Sequence, residues 1–92
     1  MELVVQDRTP EDAAQIVQRI CGVCPVSHTH ASSLAGEAAY GIVIPNQARI
    51  IRNLVEGGQF LHSHILWLYT LAALDYVNPL NALNANVGKA YD

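Results

Sequence analysis

The chain has 92 residues, 51% of them apolar and 14% charged, with a formal net charge of −3. That is apolar enough to fold but near the lower size limit for a self-sufficient core, so one domain at most is expected. The basic residues Arg8, Arg19, Arg49, Arg52 and Lys89 are scattered along the chain, which excludes nucleic acid as a partner class because no footprint for a phosphate backbone exists.

Met1 to Asp7 contains no basic region followed by a long apolar stretch, so no signal peptide is expected. Leu3, Val4 and Val5 form a β-prone run that predicts a short N-terminal strand. Thr9, Pro10, Glu11 and Asp12 then read as a helix start: a capping hydroxyl, a proline in the first turn, and acids at the positive end of the dipole. The helix is predicted from about Pro10 to Ile20, with Ala13, Ile16, Val17 and Ile20 forming one apolar stripe. It delivers Cys21-Gly22-Val23-Cys24-Pro25 as a turn.

The alanine-rich run from Ser27 to Tyr40 predicts a second helix, and Gly41 stands where a left-handed cap would end it. Ile42, Val43 and Ile44 read as extended. Pro45 and Asn46 open a third helix that the spacing of Ile50, Ile51, Leu54, Val55, Leu61, Ile65, Leu68 and Leu71 carries to about Asp75. Gly57 and Gly58 sit inside it at a propensity cost of about 1 kcal/mol each, so they require a reason, either close contact with another backbone or a kink.

Ile65 to Leu74, the most apolar segment, is roughly half the ~20 residues needed to cross a bilayer and follows His62, Ser63 and His64, so a buried helix is expected rather than a membrane span. The run Ile65-Leu66-Trp67-Leu68-Tyr69 is apolar on every side, and such a helix must be enclosed by more protein than two short neighbours provide. Trp67 and Tyr69 are expected in that core. Asn78-Pro79 ends the helix, and the asparagine-rich tail reaches Lys89-Ala90-Tyr91-Asp92 with no terminating signal, which predicts that the chain stops inside an element. The fold class that follows is mostly α: one long buried helix, a short N-terminal strand, and residues 1–92 forming a single incomplete domain.

The densest chemistry lies between Arg19 and His30. Cys21 and Cys24 are the only cysteines, too few for a secreted disulfide scaffold. Two thiols separated by two residues can ligate one soft metal as thiolates, and Gly22 allows the turn between them to close. An arginine or histidine beside the thiols favours the thiolate form and donates hydrogen bonds to sulfur. Three readings compete. A thioredoxin-like redox pair would follow a strand, whereas a helix precedes this one. A zinc site could draw on Cys21, Cys24, His28 and His30, although these histidines stand closer than in zinc fingers. Two inert buried cysteines would not explain the clustering with Gly22 and His28. His62 and His64, two apart on a helix, face different directions and cannot chelate one ion, so they read as core or surface residues.

Arg19-x-Cys21-Gly22-x-Cys24-x-x-x-His28 resembles the N-terminal cysteine motif of [NiFe]-hydrogenase large subunits. The surroundings resemble that family too: Arg8, Pro10, Asp12, Ala13, Gln18 to Cys24, Ala31-Ser32, Ile51-Arg52-Asn53-Leu54, Leu61-His62, His64, Tyr69 and Ala73-Leu74-Asp75. The resemblance implies that the chain is part of a larger large-subunit fold. In it Cys21 is a terminal nickel ligand, Cys24 bridges nickel and iron, His28 hydrogen-bonds near the bridging sulfur, and Arg19 lies in the shell around the centre. Glu2 falls where the family has a carboxylate that helps to hold a structural Mg²⁺. Ser63 stands where many relatives carry an aspartate close to the active site, a departure that points to another subgroup or an altered surrounding of the metals.

The same resemblance implies a Ni–Fe centre whose iron carries CN and CO ligands, H₂ as substrate, and a small subunit whose Fe–S clusters accept electrons. Maturation proteins would install the iron. The second cysteine pair and the proton-transfer glutamate of the family lie outside these residues, so the isolated chain is expected to be inactive without the remainder of the large subunit. An alternative is a small zinc-binding or interaction module derived from such a fragment. A subunit of a proton-pumping respiratory complex is disfavoured, because those relatives commonly lack the nickel cysteines.

Overall fold

Leu3, Val4 and Val5, predicted as a strand, form a single helical turn instead, α1 (Glu2–Val5). The computed structural model describes residues 1–90, with the side chains of 82, 87 and 90 left out of the description. A three-residue β-branched run becomes a strand only if another strand satisfies its backbone, and no strand occurs among the described residues. The carbonyl of Met1 accepts from the N–H groups of Val4 at 2.9 Å and Val5 at 3.2 Å. Asp7, with a left-handed φ of 60°, turns the chain out of α1, a conformation that aspartate tolerates better than most side chains.

The next helix, α2 (Pro10–Val17), begins as its sequence predicts. Thr9 Oγ1 accepts from the Asp12 N–H at 3.2 Å, Pro10 occupies the first turn, and Glu11 and Asp12 lie at the positive end. It stops three residues short of the predicted Ile20. Arg19 N–H donates to the Ile16 carbonyl and Ile20 N–H to the Val17 carbonyl, so the backbone tightens to three-residue turns that swing it toward Cys21.

Helix α3 (Pro25–Tyr40) starts immediately after Cys24 and ends at Gly41 with φ 65°, the left-handed cap that the sequence predicts. It packs mainly against α2. The approach is close at Gly36, where an added Cβ would stand 3.3 Å from the Cβ of Pro10, and Ala14 is buried there.

Helix α4 (Asn46–Leu66) continues through a π-helical stretch, Trp67–Ala72, into α5 (Ala73–Tyr76). The predicted third helix therefore covers the right residues but contains a widened turn that apolar spacing does not reveal. Short 3₁₀ turns follow at Pro79–Asn84 and Val87–Ala90. The expectation that the chain stops inside an element falls on Tyr91 and Asp92, which lie outside the described residues.

The long helix is not buried by this chain. Leu61 is 63% exposed, Trp67 59% and Tyr69 74%, so the two aromatics predicted in the core stand at the surface of these 92 residues. Ala14 and Ala72 are the only buried apolar residues among those described. The radius of gyration is 19.7 Å, against roughly 12 Å for a compact domain of this length. Neither Gly57 nor Gly58 has any atom within 4 Å of where a Cβ would lie, so neither contact within the chain nor crowding explains them. Among the described residues, no helix is long and apolar enough to cross a membrane.

Candidate metal centre

Cys21, Cys24 and His28 converge at the junction of α2 and α3. The tight turns after Val17 place Cys21 at the end of one arm, and Cys24 immediately precedes α3 with Pro25 in its first turn. His28 follows one helical turn after Cys24, its N–H donating to the Cys24 carbonyl at 3.4 Å. The two sulfurs and an imidazole nitrogen of His28 all lie within 4.8 Å of one another, each residue half-buried. The cysteines are free thiols.

Within the loop between the sulfurs, the Cys24 N–H donates to Cys21 Sγ at 3.3 Å. The thiols are unequal. The hydrogen bond from the Cys24 side chain, reinforced by backbone donors at Cys24 and Val23, lowers the pKa of Cys21 below its usual value. Cys24 is pushed upward, first by its side-chain bond with Cys21 and then by burial and the charge on Cys21. The first proton lost from the pair therefore comes from Cys21. Two thiolates with a nearby imidazole suit a soft or borderline transition metal and not Mg²⁺ or Ca²⁺, so this donor set fits nickel.

His30 does not join the group. Two positions along α3 from His28, it faces another direction, and its Nδ1 lies 3.4 Å from Glu56 Oε2 on α4. Ser27 Oγ donates to Glu56 Oε1 at 2.6 Å, so Glu56 gathers two residues of the motif region onto α4. The four-ligand zinc reading is corrected accordingly to three donors.

A second link from α4 reaches the loop itself. Gln59, buried on an otherwise open helix, donates from Nε2 to the Val23 carbonyl at 2.8 Å and to Ser63 Oγ at 2.7 Å. Sequence reading missed Gln59, Glu56 and Ser27. The four-residue spacing of Gln59 and Ser63 is a local signal of a helical pair, but nothing in the sequence ties Gln59 to Val23.

Of the other predicted residues, Glu2 is exposed in α1 and Arg19 is exposed beside the loop. His62 and His64 are surface residues, the latter with its ring 4.3 Å from that of Phe60. Arg52 Nη1 is buried with no partner among the described residues, although Nη2 pairs with Glu37.

The family model for nickel-dependent hydrogenases matches residues 1–92. The chain belongs to that family. It is 53% identical over 76 residues to the periplasmic [NiFeSe] hydrogenase large subunit of Desulfomicrobium baculatum, an alignment that covers 83% of this chain and 15% of the relative. It is 45% identical over 86 residues to the uptake hydrogenase large subunit of Rhodobacter capsulatus, covering 94% of the chain and 14% of the relative. Against the hydrogenase-2 large chain of Escherichia coli K12 it is 46% identical over 90 residues, covering 98% of the chain and 16% of the relative. The chain thus spans about one-sixth or less of the hydrogenase large subunits that it matches. No solved structure matches it.

Proposed function

We propose that this chain forms part of the catalytic large subunit of a [NiFe]-hydrogenase and supplies two of the four cysteine ligands of the Ni–Fe centre. The convergence of Cys21, Cys24 and His28 within 4.8 Å, on a chain of the nickel-dependent hydrogenase family, carries this reading. Cys21 and Cys24 would hold the centre through their thiolates, Cys21 as a ligand of nickel and Cys24 as the second sulfur of the pair. The His28 imidazole lies within 4.8 Å of both sulfurs, and Arg19 adds positive charge beside the loop. When bound, the centre, with CN and CO on its iron, supplies heterolytic cleavage of H₂.

The residues of this chain hold and tune that centre. Cys21 gives up its proton more readily than Cys24, so its thiolate would be the first available to a metal. The Cys24 N–H directed at Cys21 Sγ withdraws electron density from that sulfur. Glu2 is assigned to a structural Mg²⁺, for which a carboxylate oxygen is the appropriate donor.

The rest of the large subunit completes the site and the core. The exposed apolar sides of α4, the open space at Gly57 and Gly58, and the unpartnered Arg52 Nη1 all favour burial against further protein. A small subunit with Fe–S clusters receives the electrons, and maturation proteins install the diatomic ligands.

Metal analysis of the complete protein tests this reading. Nickel and iron in equal amounts are expected, with both lost in the Cys21→Ser and Cys24→Ser variants. Full retention of nickel by either variant sinks the assignment.

A second reading rests on the same three donors: taken alone, the chain is a small Cys₂His zinc module with an open fourth position. One zinc per chain, and a fold that a chelator abolishes, in a protein lacking nickel and iron would favour it.

A further inference from the structure

Gln59 is the only buried polar residue among those described, and the groups it touches account for its burial. Its amide nitrogen carries two protons. Val23 O at 2.8 Å and Ser63 Oγ at 2.7 Å take them, while His62 Nδ1 stands farther off at 3.5 Å. A carbonyl can only accept, so the amide must present its nitrogen to the loop; turned over, it would set oxygen against oxygen. Its orientation is therefore fixed by chemistry.

The carbonyl of Val23 and the N–H of Cys24 belong to one peptide unit, which is planar and rigid. Gln59 holds the oxygen end of that unit. The nitrogen end donates to Cys21 Sγ at 3.3 Å. Ser63, Gln59, the Val23–Cys24 peptide and the Cys21 sulfur thus form one continuous line of hydrogen bonds. Donation to a peptide oxygen polarises the unit and makes its N–H a stronger donor. Among the described residues this is the only hydrogen bond from α4 to positions 21–24, so nothing else from that helix sets the tilt of the peptide.

We propose that Gln59 is a positioning residue for the cysteine pair: through the Val23–Cys24 peptide it orients and strengthens the N–H···S bond to Cys21, and Ser63 holds the amide in place. The inference rests on the reading that Cys21 is a nickel ligand. Its consequence has a sign. A hydrogen bond to a ligating sulfur draws density from the metal and raises its reduction potential, so loss of the Gln59 donor lowers that potential.

The test uses the complete hydrogenase containing this chain, large and small subunits together. Nickel and iron content is measured first, then the midpoint potential of the nickel paramagnetic resonance signal, in the parent and in the Gln59→Met, Gln59→Glu and Ser63→Ala variants. Methionine fills the space without donating; glutamate keeps the shape but offers only oxygens. With metal retained, Gln59→Met and Gln59→Glu are expected to shift the midpoint negative, and Ser63→Ala to shift it less in the same direction. A Gln59→Met enzyme with parental metal content and an unmoved midpoint overturns the proposal. If Gln59→Met fails to assemble, Ser63→Ala decides: a negative shift supports the line of bonds, and an unmoved midpoint overturns it. A parent without nickel and iron overturns the ligand reading and this inference with it, a result distinct from an unmoved midpoint in a loaded enzyme.

Discussion

The guanidinium of Arg52 on α4 hydrogen-bonds the carboxylate of Glu37, which lies fifteen positions earlier near the end of α3. With the Ser27–Glu56 and His30–Glu56 contacts it is one of three polar links between the helix bearing His28 and α4, which also braces the cysteine loop through the Gln59–Val23 bond. Apolar contact contributes little there, since the side chains of α4 are largely exposed.

That pair makes a pH-dependent contribution. The bond from Arg52 holds the Glu37 carboxyl below its ordinary value of 4.5, against an opposing effect of burial, and the arginine stays charged throughout. A carboxyl whose pKa is lower folded than unfolded stabilises the fold above the unfolded value, and that stabilisation disappears as pH falls through the folded value. The Glu37→Gln variant is therefore expected to be less stable than the parent near neutrality, with the difference shrinking below about pH 4.3. Denaturant midpoints of parent and variant across that range check it; a constant difference would rule out the ion pair as its source.

The unequal thiols predict ordered alkylation. In the metal-free protein near neutrality, Cys21 carries the larger thiolate fraction because its pKa is lowered while that of Cys24 is raised, and the thiolate is the reacting form. Iodoacetamide is expected to label Cys21 first, as followed by peptide mass spectrometry against time. The Cys24→Ala variant removes the main cause of the lowering and is expected to slow labelling at Cys21. Equal rates at both positions in the parent would contradict the order.

One substitution, glycine to alanine, is expected to have different effects at two places. At Gly36 the new Cβ meets the ring of Pro10 at 3.3 Å, so α2 must give by a few tenths of an ångström, and this cost is set against the helix-propensity gain of about 1 kcal/mol. At Gly57 or Gly58 the new Cβ meets nothing, and the isolated chain is expected to become more helical, with a gain of about 1 kcal/mol per site. If another part of the large subunit packs closely there, the same changes lower the yield of assembled enzyme. Circular dichroism of the isolated chain together with subunit recovery checks both halves; unaltered assembly would show that no backbone approaches these glycines.

Hydrogen uptake by the isolated 92-residue chain is expected to be absent, because Cys21 and Cys24 supply too few ligands to complete the centre. Gas-consumption assays with an artificial electron acceptor measure this directly, and uptake above the level of a Cys21→Ser control would refute it.

Local chemistry in the sequence made most helical segments and the cluster of Cys21, Cys24 and His28 legible. Thr9 and Gly41 act within a few residues of where they stand, and Cys21, Cys24 and His28 lie close enough in sequence for one turn and one helical step to unite them; the second helix was expected from Ser27 and begins two residues earlier, at Pro25. Leu3 to Val5 misled because β-propensity describes fit to a sheet, and no sheet is present among the described residues. Trp67 and Tyr69 misled differently: their apolar surroundings in sequence imply an interior that these residues alone do not build. Gln59 and Glu56 were illegible because their importance arises from contacts with Val23 and Ser27, 36 and 29 positions away, and a helical polar residue looks the same whether it faces water or a loop.

The widened turn at Trp67–Ala72 changes what a single rod can do. A π-type insertion places an additional residue in the turn, and at 3.6 residues per turn this retards the helical phase by roughly 100°. The stripe that runs through Gln59 and Ser63 therefore does not continue along the same side into α5. One uninterrupted rod can brace the cysteine loop through Gln59 while Leu74 and Tyr76, on different sides of α5, are each turned away from the direction that a regular spiral would give them. A deletion within Trp67–Ala72 that restores a regular spiral would turn those two side chains by about a quarter-circle without altering either residue.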